Sequence, residues 1–155
     1  ELHIAIQKLF GLGNYKDYEF GYEDIMSEDV VNFGYIPTRR FCSTHKDMSR
    51  IYIDSLIKKT RSLYYEYDYS SEWCFNIHLI KIVEYDKYYA TIIDYSGKYN
   101  IVENCGGPWG LEYFLNIIDN PPEKLSKHDK NMLKKFEKFN MEKTQEQLKN
   151  IFDMV

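Results

Sequence analysis

The chain of 155 residues is long enough for one domain with a hydrophobic core, and its 44% hydrophobic and 28% charged residues suit an ordinary globular protein. A formal net charge of -4 excludes a chain-wide basic footprint for nucleic acid, and no run reaches the roughly 18 to 20 apolar residues of a membrane span. Three widely spaced cysteines, Cys42, Cys74 and Cys105, with no C-x-x-C pair, argue against a disulfide framework or a thiolate zinc site, so a cytoplasmic protein with reduced thiols and no membrane contact is expected.

In chain order, "LHIAIQKLFGL" places Leu2, Ile6, Leu9 and Phe10 on one helical face, with Gly11 and Gly13 as the stop. No N-terminal cap precedes this helix, which leads us to expect that the native protein begins further upstream. "NYKDYEFGYEDI" alternates Tyr18, Phe20 and Tyr22 against charged and small residues, a strand pattern. The segment from Met26 to Asp47 is mixed, and Gly34 and Pro37 suggest loop with short strand pieces. "DMSRIYIDSLIKK" reads as a short strand and a turn of helix. Two strands follow around "YSSE": Leu63, Tyr65 and Tyr67 share one face of the first, and Trp73, Phe75, Ile77 and Leu79 one face of the second. "KYYATIIDYSGKYNIVEN" predicts two more strands around Ser96–Gly97. Two or more helices complete the chain. Leu111, Phe114, Leu115 and Ile118 give one buried face, with Trp109 and Tyr113 as a second stripe beside it. After the Pro121–Pro122 break, Ser126 is an N-cap candidate with Met132, Leu133 and Phe136 facing inward. Thr144 with Gln147 gives a capping-box pattern for the last helix. Helix, strands, then helices predict an α+β fold rather than an alternating α/β one.

Chemistry-bearing residues gather in a few places. Gly106 and Gly107 precede a helix, where their amides would suit an anion. Neither lysine nor a G-x-x-x-x-G-K-[ST] pattern accompanies them, and Pro108 removes one amide. Glu66 and Asp68 lie two apart on one strand face, and Glu72 and Glu103 are further carboxylates for acid–base or divalent-metal chemistry. Their structural alternative is a solvated hairpin tip. His3, His45, His78 and His128 form no H-x-x-x-H pair, and no metal site or cofactor is expected. Cys105, beside the glycines, is the one cysteine worth testing as a nucleophile, against the plainer role of small apolar filler. Lys124, Lys127, Lys130, Lys134, Lys135, Lys138 and Lys143 make the C-terminal part locally basic, either as a solvated face or as one contacting phosphates.

Three segments in sequence order, "LHIAIQKLFG" at 2–11, "YYEYDYSSEW" at 64–73 and "GGPWGLEYFL" at 106–115, resemble the plasmid pRiA4b ORF-3-like family. The family pattern has F-G-D where this chain has Tyr69–Ser70–Ser71, a histidine where it has Phe75, and E-D where it has Glu103–Asn104. Family strands that usually precede the first helix have no counterpart here. The resemblance implies one domain over residues 1–155, with a mostly antiparallel curved sheet packed against an N-terminal helix and C-terminal helices. It also implies a mobile-element association and no established activity. It raises His3, Asp68, Trp73 and Glu103, which stand at family motif positions. The expectation is a non-enzymatic binding or interaction domain whose partner is a protein. Its binding region would combine Tyr67, Asp68 and Trp73 with Glu103, Gly106, Gly107 and Trp109. One rival is a phosphoester hydrolase, metal-assisted or not, using Asp68, Glu72 and Glu103. The other is a nucleic-acid accessory protein using the lysine-rich helices. A serine recombinase has no support, because only Arg39, Arg40, Arg50 and Arg61 are available to steady phosphate charge.

Overall fold

The computed structural model describes residues 1–24, 29–35, 46–47 and 52–151. Cys42, His45, Pro37, Arg39, Arg40 and Arg50 lie outside them. The fold is α+β, as the element order predicted: α1 (Leu2–Phe10), β1 (Tyr18–Asp24), β2 (Asp29–Tyr35), β3 (Lys46–Asp47), α2 (Ile53–Thr60), β4 (Ser62–Tyr67), β5 (Trp73–His78), α3 (Gly107–Asp119), α4 (Lys127–Leu133) and α5 (Met141–Lys149). The chain divides into two compact units. One comprises Tyr15–Glu84 and the other Glu1–Asn14 with Tyr85–Val155.

The Tyr15–Glu84 unit is built on a five-stranded sheet of order β3-β2-β1-β4-β5. Its strands pair antiparallel except β2 with β3. Period-two alternation fixes the faces. Tyr18 lies opposite Tyr67 and Tyr67 opposite Trp73, while Phe20 lies opposite Tyr65 and Tyr65 opposite Phe75. These rings form one aromatic layer, with centroids 4.8 Å apart for Phe20 and Tyr65 and 5.8 Å for Tyr65 and Phe75. Leu63, Tyr65, Tyr67 and Trp73 are buried, as their spacing predicted. Tyrosine suits such a layer because its ring packs in the core while its hydroxyl can still reach a polar partner. On the other face the Tyr64 ring lies over Gly21, so a Cβ at Gly21 would stand 2.1 Å from the ring.

In the other unit α1 packs against α5. Its buried face is His3, Ile6 and Gln7, whereas Phe10 is exposed, so the apolar stripe predicted through Phe10 is corrected to one that turns two polar residues inward. Gly11, at φ 72, ends α1 in the left-handed conformation that glycine takes without a Cβ penalty. α3 buries Gly107, Phe114 and Ile117, with Leu111, Leu115 and Ile118 half-buried around them. Ser126 caps α4 by accepting from the Asp129 N–H, as expected. The cap expected at Thr144 is corrected: α5 starts at Met141, with Asn140 Oδ1 accepting from the Lys143 N–H, and Thr144 is a buried interior residue. An amide side chain placed one turn earlier satisfies the free N–H first.

The two strands predicted around Ser96–Gly97 are likewise corrected. Between His78 and Gly107 the backbone makes one isolated bridge, Tyr99 with Lys138, and no strand. Alternation alone does not make a strand, because a strand also needs a neighbour for its amides. Here the neighbour is in part a side chain: Gln145 Oε1 accepts from the Ile92 N–H and Gln145 Nε2 donates to the Ala90 carbonyl. Apolar residues of this stretch remain exposed, with Ile93 at 92%.

Candidate functional site

Within the Tyr15–Glu84 unit, Tyr67 and Trp73 are core residues, each under 5% exposed. The Trp73 indole Nε1 is buried and makes no hydrogen bond in the protein. Asp68 is buried at the start of the hairpin turn, in left-handed conformation at φ 55. Ser70 Oγ donates to its Oδ1 at 2.5 Å and Ser71 Oγ to its Oδ2 at 2.7 Å. Lys16 Nζ stands 3.5 Å from Oδ2, and the Asp68 carbonyl accepts from the Ser71 and Glu72 N–H groups. Burial by itself raises the Asp68 pKa, but the two serines and Lys16 outweigh it and hold the carboxyl below the usual aspartate value. Ser70 and Ser71, with Lys16, therefore satisfy this carboxylate. Glu72 is exposed, also at positive φ in the turn.

A row of polar residues crosses the opposite face of the sheet: Glu19 lies opposite Glu66, and Glu66 opposite Cys74. Burial, then the Glu19 and Glu72 charges, push the Glu66 pKa above that of an ordinary glutamate. Burial and the Glu66 charge raise the Cys74 thiol as well. Tyr69 sits over this row, and burial, then Glu19, raise its hydroxyl strongly. A thiol held protonated is a poor nucleophile.

In the other unit Glu103 is half-buried and its Oε1 accepts from the Gly13 N–H at 2.8 Å. It shares the work of holding the 11–14 loop with the buried polar residues of α1. Asn14 Oδ1 pairs with His3 Nε2 at 2.5 Å, and the Asn14 N–H donates to Gln7 Oε1 at 2.9 Å. Burial lowers the His3 pKa, partly offset by the Asn14 hydrogen bond. Gly106 and Gly107 take φ 99 and φ 69 at the entry to α3. The residue that sequence reasoning missed is Gly110: a Cβ there would stand 1.8 Å from the Cys105 carbonyl oxygen. Cys105 is buried, and burial raises its pKa. Its Sγ lies 3.6 Å from the Gly107 carbonyl oxygen, so it fills the corner as the plainer reading had it. Trp109, by contrast, is 79% exposed and Tyr113 is 51% exposed.

A second feature of this unit gathers residues that were separate in the sequence. The pairing of Lys98–Asn100 with Glu137–Phe139 rests on the Asn100 N–H to Glu137 carbonyl and Phe139 N–H to Lys98 carbonyl bonds, 2.9 and 3.0 Å long. It brings Asn100 beside the α4–α5 connection. With the end of α1 and the start of α5 this forms a cavity of about 490 Å³ whose lining includes Lys8, Lys135, Lys138 and Lys143. The lysine run was legible in the sequence; the arrival of Lys8 and Asn100 was not, since both come from distant chain positions. Among the described residues, no group of three His, Cys, Asp or Glu side chains is placed to share a metal ion. No helix among them is long and apolar enough to cross a membrane.

Comparison with known proteins gives two findings. The family model for the plasmid pRiA4b ORF-3-like protein matches residues 1–147. A solved structure, that of the protein of unknown function MM3350 from Methanosarcina mazei Go1, superposes with a TM-score of 0.66 at 19% sequence identity, covering 92% of this chain and 80% of the other. At that identity the likeness concerns the fold alone. No curated protein matches.

Proposed function

We propose that this chain, which belongs to the plasmid pRiA4b ORF-3-like family, serves as a non-enzymatic binding module that docks a partner protein on the outer face of α3. The carrying observation is Trp109, 79% exposed in the first turn of α3, where the backbone of Gly110 passes so close to Cys105 that a Cβ would have no room. Tyr113 extends the stripe one turn on. Large rigid aromatics of this kind dominate the energetics of protein interfaces. The α3 sequence carries Glu112 and Asp119 and no lysine or arginine, which favours a partner with an apolar pocket and a basic rim. Two of the three carboxylates of the hydrolase reading make hydrogen bonds within the fold, Asp68 to Ser70 and Ser71 in its turn and Glu103 to the Gly13 N–H, which supports a non-enzymatic reading.

The test compares wild type with a Trp109→Ala, Tyr113→Ala double variant as bait in extract of the native host. Any captured protein is then purified and titrated against both. The reading expects a partner bound by wild type and weakened about tenfold or more by the variant, with an unchanged melting midpoint. Equal binding of every captured protein by the two baits would sink it.

A further inference from the structure

The cavity of about 490 Å³ in the Glu1–Asn14 and Tyr85–Val155 unit falls within the roughly 300 to 1,000 Å³ range of small-molecule sites. Four lysines line it against one carboxylate, Glu137. Glu137 is 3.8 Å from Lys143, and among the described residues Lys8, Lys135 and Lys138 have no carboxylate partner. The N-terminal end of α5 borders the cavity through Asn140 and Lys143, adding the positive partial charge of a helix start. This concentration of cationic groups in one concavity stands out in a chain whose overall charge is negative.

The wall holds a second, independent feature. Asn100 lines the cavity, and its Oδ1 is buried without a hydrogen bond. A buried acceptor left without a donor costs free energy, and the soft χ2 torsion of asparagine lets the carboxamide turn toward an incoming donor. Lysines supply only donors, so they select acceptor-rich anionic groups, whereas Asn100 Oδ1 selects a hydroxyl or N–H. Thr144, Gln147 and Asn140 add neutral polar groups.

We infer that the cavity binds a phosphate ester of a hydroxylated sugar, of which a mononucleotide is the fitting size, with the phosphate on the lysines and a sugar hydroxyl on Asn100. Binding draws on charge-assisted hydrogen bonds and weakens with added salt.

The whole chain is titrated calorimetrically at low and moderate salt with adenosine monophosphate, ribose 5-phosphate, inorganic phosphate and a 5′-phosphorylated RNA oligonucleotide. The two sugar phosphates are expected to bind about tenfold or more tightly than inorganic phosphate. The double variant Lys135→Ala, Lys138→Ala should lose about tenfold for both, and Asn100→Ala should erase the preference over inorganic phosphate. Lys127→Ala, on exposed α4 outside the cavity, serves as the control that leaves binding unchanged. Lys143→Gln provides an independent variant if the double one does not fold. Inorganic phosphate binding as tightly as the sugar phosphates would overturn the inference. So would the absence of sugar-phosphate binding, or RNA binding without adenosine monophosphate binding, which would mark an open face for a polymer.

Discussion

Single residues carry more of this structure than their polarity suggests. Gly110 is the sharpest case. A methyl group at 1.8 Å from the Cys105 carbonyl has no room, and the neighbour is backbone that cannot swing away. Gly110→Ala should therefore destabilise by about 2 to 3 kcal/mol, the scale of overpacking, read from the midpoint of urea unfolding. Glu66 makes the opposite prediction. The folded state holds its proton to higher pH than the unfolded chain does, so stability is lost as pH rises from the unfolded value near 4.3 through the raised folded value. Glu66→Gln removes the carboxylate from beside Glu19 and should stabilise by roughly 0.2 to 1 kcal/mol at pH 7. Melting curves at pH 7 and below pH 4 should show the gain present in the first and gone in the second. Asp68 has the contrary sign. Its lowered pKa contributes stability above the unfolded aspartate value, lost as pH falls below it.

The elements show why the polar motif positions were readable while their roles were not. The aromatic strand faces, Leu63, Tyr65, Tyr67 with Trp73, followed from period-two spacing and are buried together. Asp68 and Glu103 were legible as unusual carboxylates, but their partners are Ser70 and Ser71 in one case and the Gly13 amide ninety residues away in the other. Trp73 and Tyr67 were read as binding residues and are core, because an aromatic at a strand position gives the same pattern for either role. At α5 the sequence pointed to Thr144 as the cap, but the Lys143 amide bonds to Asn140, four residues before it. Asn140→Ala should cost about 1 kcal/mol in chemical denaturation, since one helix-start N–H loses its acceptor. If Thr144 were the cap, that substitution would be nearly neutral.

Across the whole molecule, hydrogen bonding rather than hydrophobicity separates the protected from the open backbone. The β4 and β5 amides are paired in a ladder, while residues 80–98 have only scattered partners among the described residues. Hydrogen exchange should find 64–67 slow, alternate amides of the edge strand 73–78 slow, and most of 80–98 fast, with Ile92 slower than its neighbours because of Gln145. Uniform protection across 80–98 would contradict the unpaired backbone. Ile80 and Ile93 in the same stretch are the most exposed large hydrophobic residues among the described residues, at 85% and 92%.

The sequence by itself determined the α+β class, the pairing faces of β4 and β5, the Ser126 cap and the corner that starts α3. Each rests on a local rule: side-chain period, a cap three residues from its amide, or the backbone freedom of glycine. Only the tertiary structure decided that residues 87–104 form no strands, that α1 turns His3 and Gln7 inward, and that Gly110 is constrained by space as Gly106 and Gly107 are by their positive φ. It also decided that Lys8 and Asn100 join the C-terminal lysines around one cavity. Each of these depends on a partner distant in the chain: a strand needs a neighbour's amides, a buried polar group a matching one, and a cavity walls from several elements.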